Sequence, residues 1–204
     1  MFITKNTGGK LKVLITGFHP FNNESINPSL EAIKLLPDKI GDFELIKQDV
    51  EVSYDKSFNT VKELIDEYHP DYILLVGEAG RRKSVTIEKV AINYIDSNIK
   101  DNDGVLIKHS KIYDTDIYAY FTTLDLVSIK DKVKDIEISY SAGTFVCNYL
   151  FYKTLDYTKG TNTKVGFVHV PYIKEQAISK DKDIPYMELS KIKEVLYKVI
   201  ESLS

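Results

Sequence analysis

Two kinds of apolar run alternate along the chain. Leu11-Lys12-Val13-Leu14-Ile15-Thr16-Gly17-Phe18 and Tyr72-Ile73-Leu74-Leu75-Val76 are short and nearly continuous, the pattern of strands covered on both faces. Phe43 to Val52, Val85 to Asn93, Ile136 to Tyr140 and Lys164 to Val170 also read as strands. Between them, Asn27-Pro28-Ser29 offers a cap and a first-turn proline for a helix with Leu30, Ile33 and Leu36 on one face. Phe58, Val61, Leu64, Ile65 and Tyr68 mark a second helix that His69-Pro70-Asp71 stops. A charged helix follows from about Leu124 to Lys134, another runs to about Tyr157, and Ser97 to Tyr120 reads mostly as loop. The terminal helix is the most regular, with Ile192, Val195, Leu196, Val199, Ile200 and Leu203 at i, i+3, i+4, i+7 spacing. Strands alternating with helices predict an α/β sheet with both faces covered.

Composition narrows the class further. With 43% hydrophobic and 28% charged residues in 204, the chain suits one globular domain, and it has no linker, repeat or low-complexity tract. Residues 1–10 lack the apolar centre of a signal peptide and read as a flexible leader before a single catalytic domain at 11–204. A net charge of -3 and the absence of a basic stripe argue against nucleic-acid or membrane partners and fit a cytoplasmic enzyme. The single cysteine excludes an internal disulfide.

That cysteine organises the chemistry. After the strand ending at Tyr140, Ser141-Ala142-Gly143-Thr144 forms a small-residue turn and Cys147 falls in the first turn of a helix. Unpaired N–H groups at a helix start favour an anion, so the expectation is a lowered thiol pKa and an activated thiolate. Taken alone, a lone cysteine is more often a small buried hydrophobe. Open α/β sheets carry their sites at the carboxyl ends of strands, which here deliver Gly17-Phe18, Gly77 to Arg82, and His169. Period-two alternation puts Val165, Phe167 and His169 on one face, making His169 the partner for the thiol. His19 is the serious rival, because His69 marks a helix stop and His109 lies in a polar loop.

The stretch from Ser141 to Tyr152 resembles the cysteine motif of the pyrrolidone carboxyl peptidase, or pyroglutamyl peptidase I, family. Three more blocks are similar in the same order: Val13 to Phe21 with Ile26-Asn27-Pro28-Ser29, Val76-Gly77-Glu78-Ala79-Gly80 through Glu88 to Asn93, and Gly166 to Gln176. The resemblance implies a cytoplasmic homotetrameric cysteine peptidase that removes N-terminal pyroglutamyl residues from peptides. It also implies a three-layer α/β/α fold around a mixed sheet, akin to purine nucleoside phosphorylases, with neither metal nor cofactor.

By position, the resemblance makes Cys147 the nucleophile, His169 the general base and acid, and Glu88 the residue that orients the imidazole. Read alone, Glu88 is a solvated strand carboxylate. Phe18 and Phe21 match ring-clamping positions; Glu78, Ile99, Phe145 and Val146 match other pocket positions. The oxyanion donors are the backbone N–H of Cys147 and the Arg82 side chain. Thiolate attack, protonation of the leaving amine by His169 and hydrolysis of the acyl-enzyme form a coherent cycle with a bell-shaped pH profile.

The chain departs from the family pattern at Asn22-Asn23 and Arg81, where glycines are common, and at Glu78, where glutamine is common. The loop from Ser97 to Tyr120 matches only at Ile99 and Asp101-Asn102-Asp103-Gly104. A nucleoside-phosphorylase-like activity needs a glycine-rich phosphate cradle, which the sequence lacks. A catalytically silent scaffold of the same fold remains the alternative.

Overall fold

A computed structural model describes residues 10–180 and 183–203; positions 1–9 of the leader lie outside the described residues. In chain order the elements are β1 (Leu11–Phe18), α1 (Pro28–Lys34), β2 (Lys39–Ile40), β3 (Phe43–Val50), α2 (Tyr54–Tyr68), β4 (Tyr72–Glu78), β5 (Val85–Glu88), β6 (Val90–Ile92), β7 (Ala119–Phe121), α3 (Leu126–Lys132), β8 (Ile136–Ser139), α4 (Val146–Tyr157), β9 (Lys164–Val170), α5 (Lys174–Lys180) and α6 (Leu189–Glu201). The strands and helices anticipated from the pattern are present, most of them slightly shorter. The pattern missed β2, β7 and α5, all short, and α5 carries only Ala177 and Ile178 as apolar residues.

A seven-stranded mixed sheet runs β2-β3-β1-β4-β9-β5-β8 among the described residues. β3, β1, β4 and β9 are mutually parallel where they pair, whereas β5 is antiparallel to β9 and parallel to β8. Alternation sends Val13, Ile15, Leu74, Val76, Val168 and Val170 to one face, under α1, α3 and α6. Leu14, Ile73, Leu75, Val165 and Phe167 go to the other, under α2 and α4. The result is an α/β/α sandwich, and among the described residues no helix is long and apolar enough to cross a membrane.

Local signals fix the element ends that matter for the cleft. The Asn27 side chain caps α1 by accepting from the Ser29 N–H at 3.1 Å, with Pro28 beginning the helix. Ser29 Oγ in turn accepts from the Phe18 N–H at 3.0 Å, which ties the end of β1 to that cap. His69 ends α2 in the left-handed region, φ 46°.

Gly17 is required by proximity: a Cβ there lies 2.6 Å from Leu30 Cα and 2.8 Å from Leu30 N, both backbone atoms that cannot swing away. Gly17→Ala should therefore separate α1 from β1 and destabilise the fold by about 1–3 kcal/mol, the usual cost of overpacking. A urea titration checks this, and a midpoint equal to wild type overturns it.

Candidate active site

The carboxyl ends of β1, β4 and β9 meet the start of α4 around a cavity of about 220 Å³. Its lining includes Phe18, Phe21, Asn27, Val52, Glu78, Ala79, Arg82, Phe145, Val146, Cys147 and His169. One thiol and one imidazole thus share an apolar pocket with one acid and one arginine. Of the candidate residues from sequence, Glu88 lies behind the cavity against His169, and Ile99 is not among the lining residues. The Ser97 hydroxyl instead donates to the Ile99 carbonyl at 2.7 Å and accepts from its N–H at 3.1 Å.

Strand register places the imidazole. Gly77 pairs with His169 across the parallel β4–β9 ladder, and Thr86 pairs with His169 from the antiparallel side. Parity along β5 then turns Glu88 to the same face as Thr86, one pleat deeper. His169 Nδ1 lies 2.7 Å from Glu88 Oε1. A carboxylate there holds the proton on Nδ1 and leaves Nε2 as the basic nitrogen. Phe167 stacks against the ring at a centroid distance of 4.7 Å and 48°.

Gly77 also makes room for sulfur. A Cβ on it lies 2.9 Å from Cys147 Sγ and 2.9 Å from Phe167 Cζ, so the thiol packs over the bare backbone beside His169's sheet partner. Cys147 is the second residue of α4, whose N-cap Phe145 makes no side-chain capping bond. The first N–H groups of the helix are therefore free of side-chain caps where it faces the cavity. The preceding turn needs Gly143 at φ 79°, a left-handed conformation that costs other residues energy. Asn148, fully buried, secures the helix start: it accepts from the Ile92 N–H at 2.9 Å and donates to the carbonyls of Ile92 and Tyr94. Sequence reasoning included Asn148 in the motif without assigning it this work. The signal was a polar residue inside an otherwise apolar helical run.

Glu88 is completely buried, and a carboxylate in that setting needs cationic or hydrogen-bonding partners. Arg82 Nη1 lies 2.7 Å from the same Oε1 that meets His169, and it also reaches the Thr86 hydroxyl. Arg82 Nη2 donates to the Ser141 carbonyl at 3.1 Å, so the guanidinium links β5 to the turn before α4. Burial pushes Glu88 up, but the hydrogen bond and charge of His169, with Arg82, outweigh it and hold the carboxyl below its ordinary range. For His169 burial is the largest effect and wins over Glu88, leaving the imidazole below its usual value.

The thiol behaves opposite to the helix-start expectation. Burial first, then the negative charges of Glu88 and Glu78, push Cys147 up to about 12, against smaller opposing effects from Arg82 and the helix backbone. Desolvation outweighs the helix dipole because the dipole contributes only about 0.3–1 kcal/mol in exposed settings, whereas burying an unpaired anion costs several. The resting pair is thus a neutral thiol beside a neutral imidazole. His19, the rival base, sits outside this cavity between Asp49 Oδ2 at 2.5 Å and Glu51 Oε1 at 3.1 Å.

The departures in the loops have a common backbone reason. Asn22, Asn23 and Arg81 adopt φ of 52°, 63° and 73°, the left-handed region that glycine occupies freely. Asparagine tolerates this region better than most residues, but arginine has no such local compensation.

Residues 11–204 match the sequence profile of the Peptidase_C15 family, pyroglutamyl peptidase. The chain is 45% identical to the pyrrolidone-carboxylate peptidase of Fusobacterium nucleatum over 89% of this chain and 87% of the relative. It is 41% identical to that of Thermosipho melanesiensis, over 95% and 98% of the respective chains. The crystal structure of pyroglutamyl peptidase I from Bacillus amyloliquefaciens superposes with a TM-score of 0.89 at 35% identity, covering 95% of each chain.

A neutral resting thiol has a kinetic signature. Alkylation of Cys147 by iodoacetamide should be slow at pH 7 and climb about tenfold per pH unit through pH 9 to 10, because only the thiolate reacts. A rate plateau below pH 8 in the free protein would contradict the raised thiol pKa.

Proposed function

The chain belongs to the pyroglutamyl peptidase family and is a cysteine peptidase of the pyroglutamyl-peptidase I type, and from that premise we propose that Cys147, His169 and Glu88 are its catalytic triad. The observation that carries this reading is the buried Glu88–His169 hydrogen bond at 2.7 Å, directly behind an apolar cavity lined by both the imidazole and the thiol. The substrates are peptides with an N-terminal pyroglutamyl residue, and residues 11–204 act as one catalytic domain.

His169 Nε2 takes the thiol proton as Cys147 Sγ attacks the pyroglutamyl carbonyl carbon. Because the thiol starts protonated, proton transfer accompanies attack instead of preceding it. The imidazolium formed is stabilised by Glu88 and then protonates the leaving amine, giving a thioester acyl-enzyme. Water, deprotonated by His169, attacks the thioester, and the thiol leaves with the proton returned. The Cys147 N–H at the uncapped helix start donates to the tetrahedral oxyanion. Arg82, whose Nη atoms are occupied by Glu88, Thr86 and Ser141, adds positive charge near the oxyanion and fixes the triad carboxylate.

The neutral ring fits an apolar slot made by Phe18, Phe21, Phe145 and Val146, in the cavity that Glu78 also lines. Phe21 leans on Phe145 at a centroid distance of 6.3 Å, and Tyr54 meets Phe145 edge-on at 5.7 Å, so these rings brace one another. Ile99 is left out of this slot, since it does not line the cavity. The protein works in the cytoplasm as a homotetramer; Tyr118 and Phe121, strongly exposed around β7, offer apolar surface for that assembly.

A fluorogenic pyroglutamyl amide tests the assignment. Cys147→Ala should abolish turnover while keeping the wild-type melting temperature, and His169→Ala should lower kcat by about 10³-fold or more. His19→Ala should leave kcat near wild type, and Glu88→Gln should fall between. Phe18→Ala and Phe21→Ala should raise KM by about 1–3 kcal/mol equivalent each. Turnover by Cys147→Ala, or a larger loss in His19→Ala than in His169→Ala, overturns the triad.

A further inference from the structure

Of the ionisable side chains lining the cavity, Arg82, Cys147 and His169 serve acyl transfer, and Glu78 has no part in it. Its environment is specific. Gln176 Nε2 donates to Glu78 Oε2 at 2.8 Å and to the Ile26 carbonyl at 3.3 Å, while Gln176 Oε1 accepts from the Ile173 N–H at 3.3 Å. The backbone thus sets the amide orientation, with nitrogen toward Glu78. Since Oε2 already accepts a hydrogen bond, a proton on Glu78 belongs on Oε1, which has no protein hydrogen-bond partner among the described residues. As an acid Glu78 offers the cavity one donor, and as a carboxylate it offers an acceptor with full negative charge.

We propose that Glu78 sorts five-membered N-terminal rings by charge, admitting a neutral lactam as the acid and favouring a ring with a secondary ammonium as the carboxylate, which makes N-terminal prolyl peptides a second ligand class. The inference rests on the ring slot proposed above. A prolyl ring has the shape of the pyroglutamyl ring but carries a cation where the lactam carries a neutral N–H. An apolar slot alone selects little between isosteres, whereas a desolvated carboxylate discriminates strongly by charge.

The switch falls near neutrality. Partial burial pushes Glu78 up to about 7, against the Gln176 hydrogen bond, with Glu24 adding to the rise and Lys180 opposing it. Lys180 of α5 pairs with Glu24 of the loop before α1 and lies 5.0 Å over the Tyr172 ring. Cys147 on α4, His169 on β9 and Arg82 beyond β4 complete the ionisable groups that face the slot. Burial keeps the thiol protonated and moves the imidazole below its usual range, so near neutrality the cavity changes charge chiefly through Glu78.

The test uses the full chain with 2-pyrrolidone, the bare lactam ring, and pyrrolidine, the same ring as an ammonium. Dissociation constants from ligand-induced melting shifts are compared between pH 6 and pH 8, with pyroglutamyl amide hydrolysis measured in parallel. The preference for pyrrolidine over 2-pyrrolidone should rise about 100-fold across this interval in wild type, because for a group titrating near 7 the carboxylate fraction that takes the ammonium rises about tenfold while the acid fraction that takes the lactam falls about tenfold. It should be flat in Glu78→Gln, and its midpoint should move to higher pH in Lys180→Ala, which removes a nearby cation. A flat preference in wild type, an equal rise in Glu78→Gln, or no binding of either ring overturns the inference. Should Glu78→Gln fail to fold, an unmoved midpoint in Lys180→Ala overturns it. Hydrolysis with a flat preference rejects the charge sorting alone, whereas the expected preference without any hydrolysis rejects the peptidase reading and keeps the sorting.

Discussion

A carboxylate buried completely inside a protein is tolerated only with partners, and Glu88 has two on a single oxygen, His169 Nδ1 and Arg82 Nη1, each at 2.7 Å. Much of the site's layout follows from that constraint. β5 must run against β9 so that Thr86 faces His169 and Glu88 lies one pleat below. The loop after β4 must bring Arg82 back over β5, where its second Nη reaches the Ser141 carbonyl. Ser141 begins the turn that delivers Cys147, so the carboxylate, the imidazole and the thiol are linked through one guanidinium.

The same charges govern the resting thiol. In the proposed mechanism Glu88 stabilises the imidazolium, yet in the free protein its charge works with burial against a thiolate. A thiolate is the form that oxidises and alkylates, so a thiol held neutral is chemically quiet until a carbonyl occupies the cavity. The catalytic advantage then lies in charge that develops only with substrate, which is where preorganised groups are most effective. Gly77 is the steric counterpart of this arrangement, because any side chain there would displace both the sulfur and Phe167.

The α/β/α layering was legible because β1, β4 and β9 are apolar runs buried on both faces and α6 has an uninterrupted helical period. The place of His169 at the cavity was legible from strand parity at a carboxyl edge, whereas His19 lies outside the cavity between two carboxylates. Glu88 was not legible from residues alone: its role depends on β5 being antiparallel, and nothing local to Val85-Thr86-Ile87-Glu88 specifies direction. The thiol pKa was misjudged because helix position is visible in sequence, whereas desolvation and the distant charges of Glu78 and Glu88 are not. Seven-residue α5 escaped notice since its stability comes from packing Ala177 and the Gln176 bonds, not from a periodic face.

The cleft walls are loops held by side chain to backbone bonds, and this explains how they stay ordered without regular structure. Asn27 donates to the His19 carbonyl at 3.0 Å while its oxygen caps α1, which fixes the approach to Phe21. From across the cleft, Asn102 donates its side chain to the Pro20 carbonyl at 3.1 Å and its N–H to the Val52 carbonyl at 2.8 Å. Asp101 holds that turn by accepting from the N–H groups of Tyr54, Asp103 and Val105. The Asp101-Asn102-Asp103-Gly104 segment therefore acts as a clasp between the loop carrying Phe21 and the end of β3. Asn22 and Asn23 follow Phe21 in left-handed conformations, which asparagine adopts more readily than most residues. A ring slot built this way is set by a few polar anchors behind its aromatic lining, and its shape depends on them as much as on Phe18, Phe21 and Phe145.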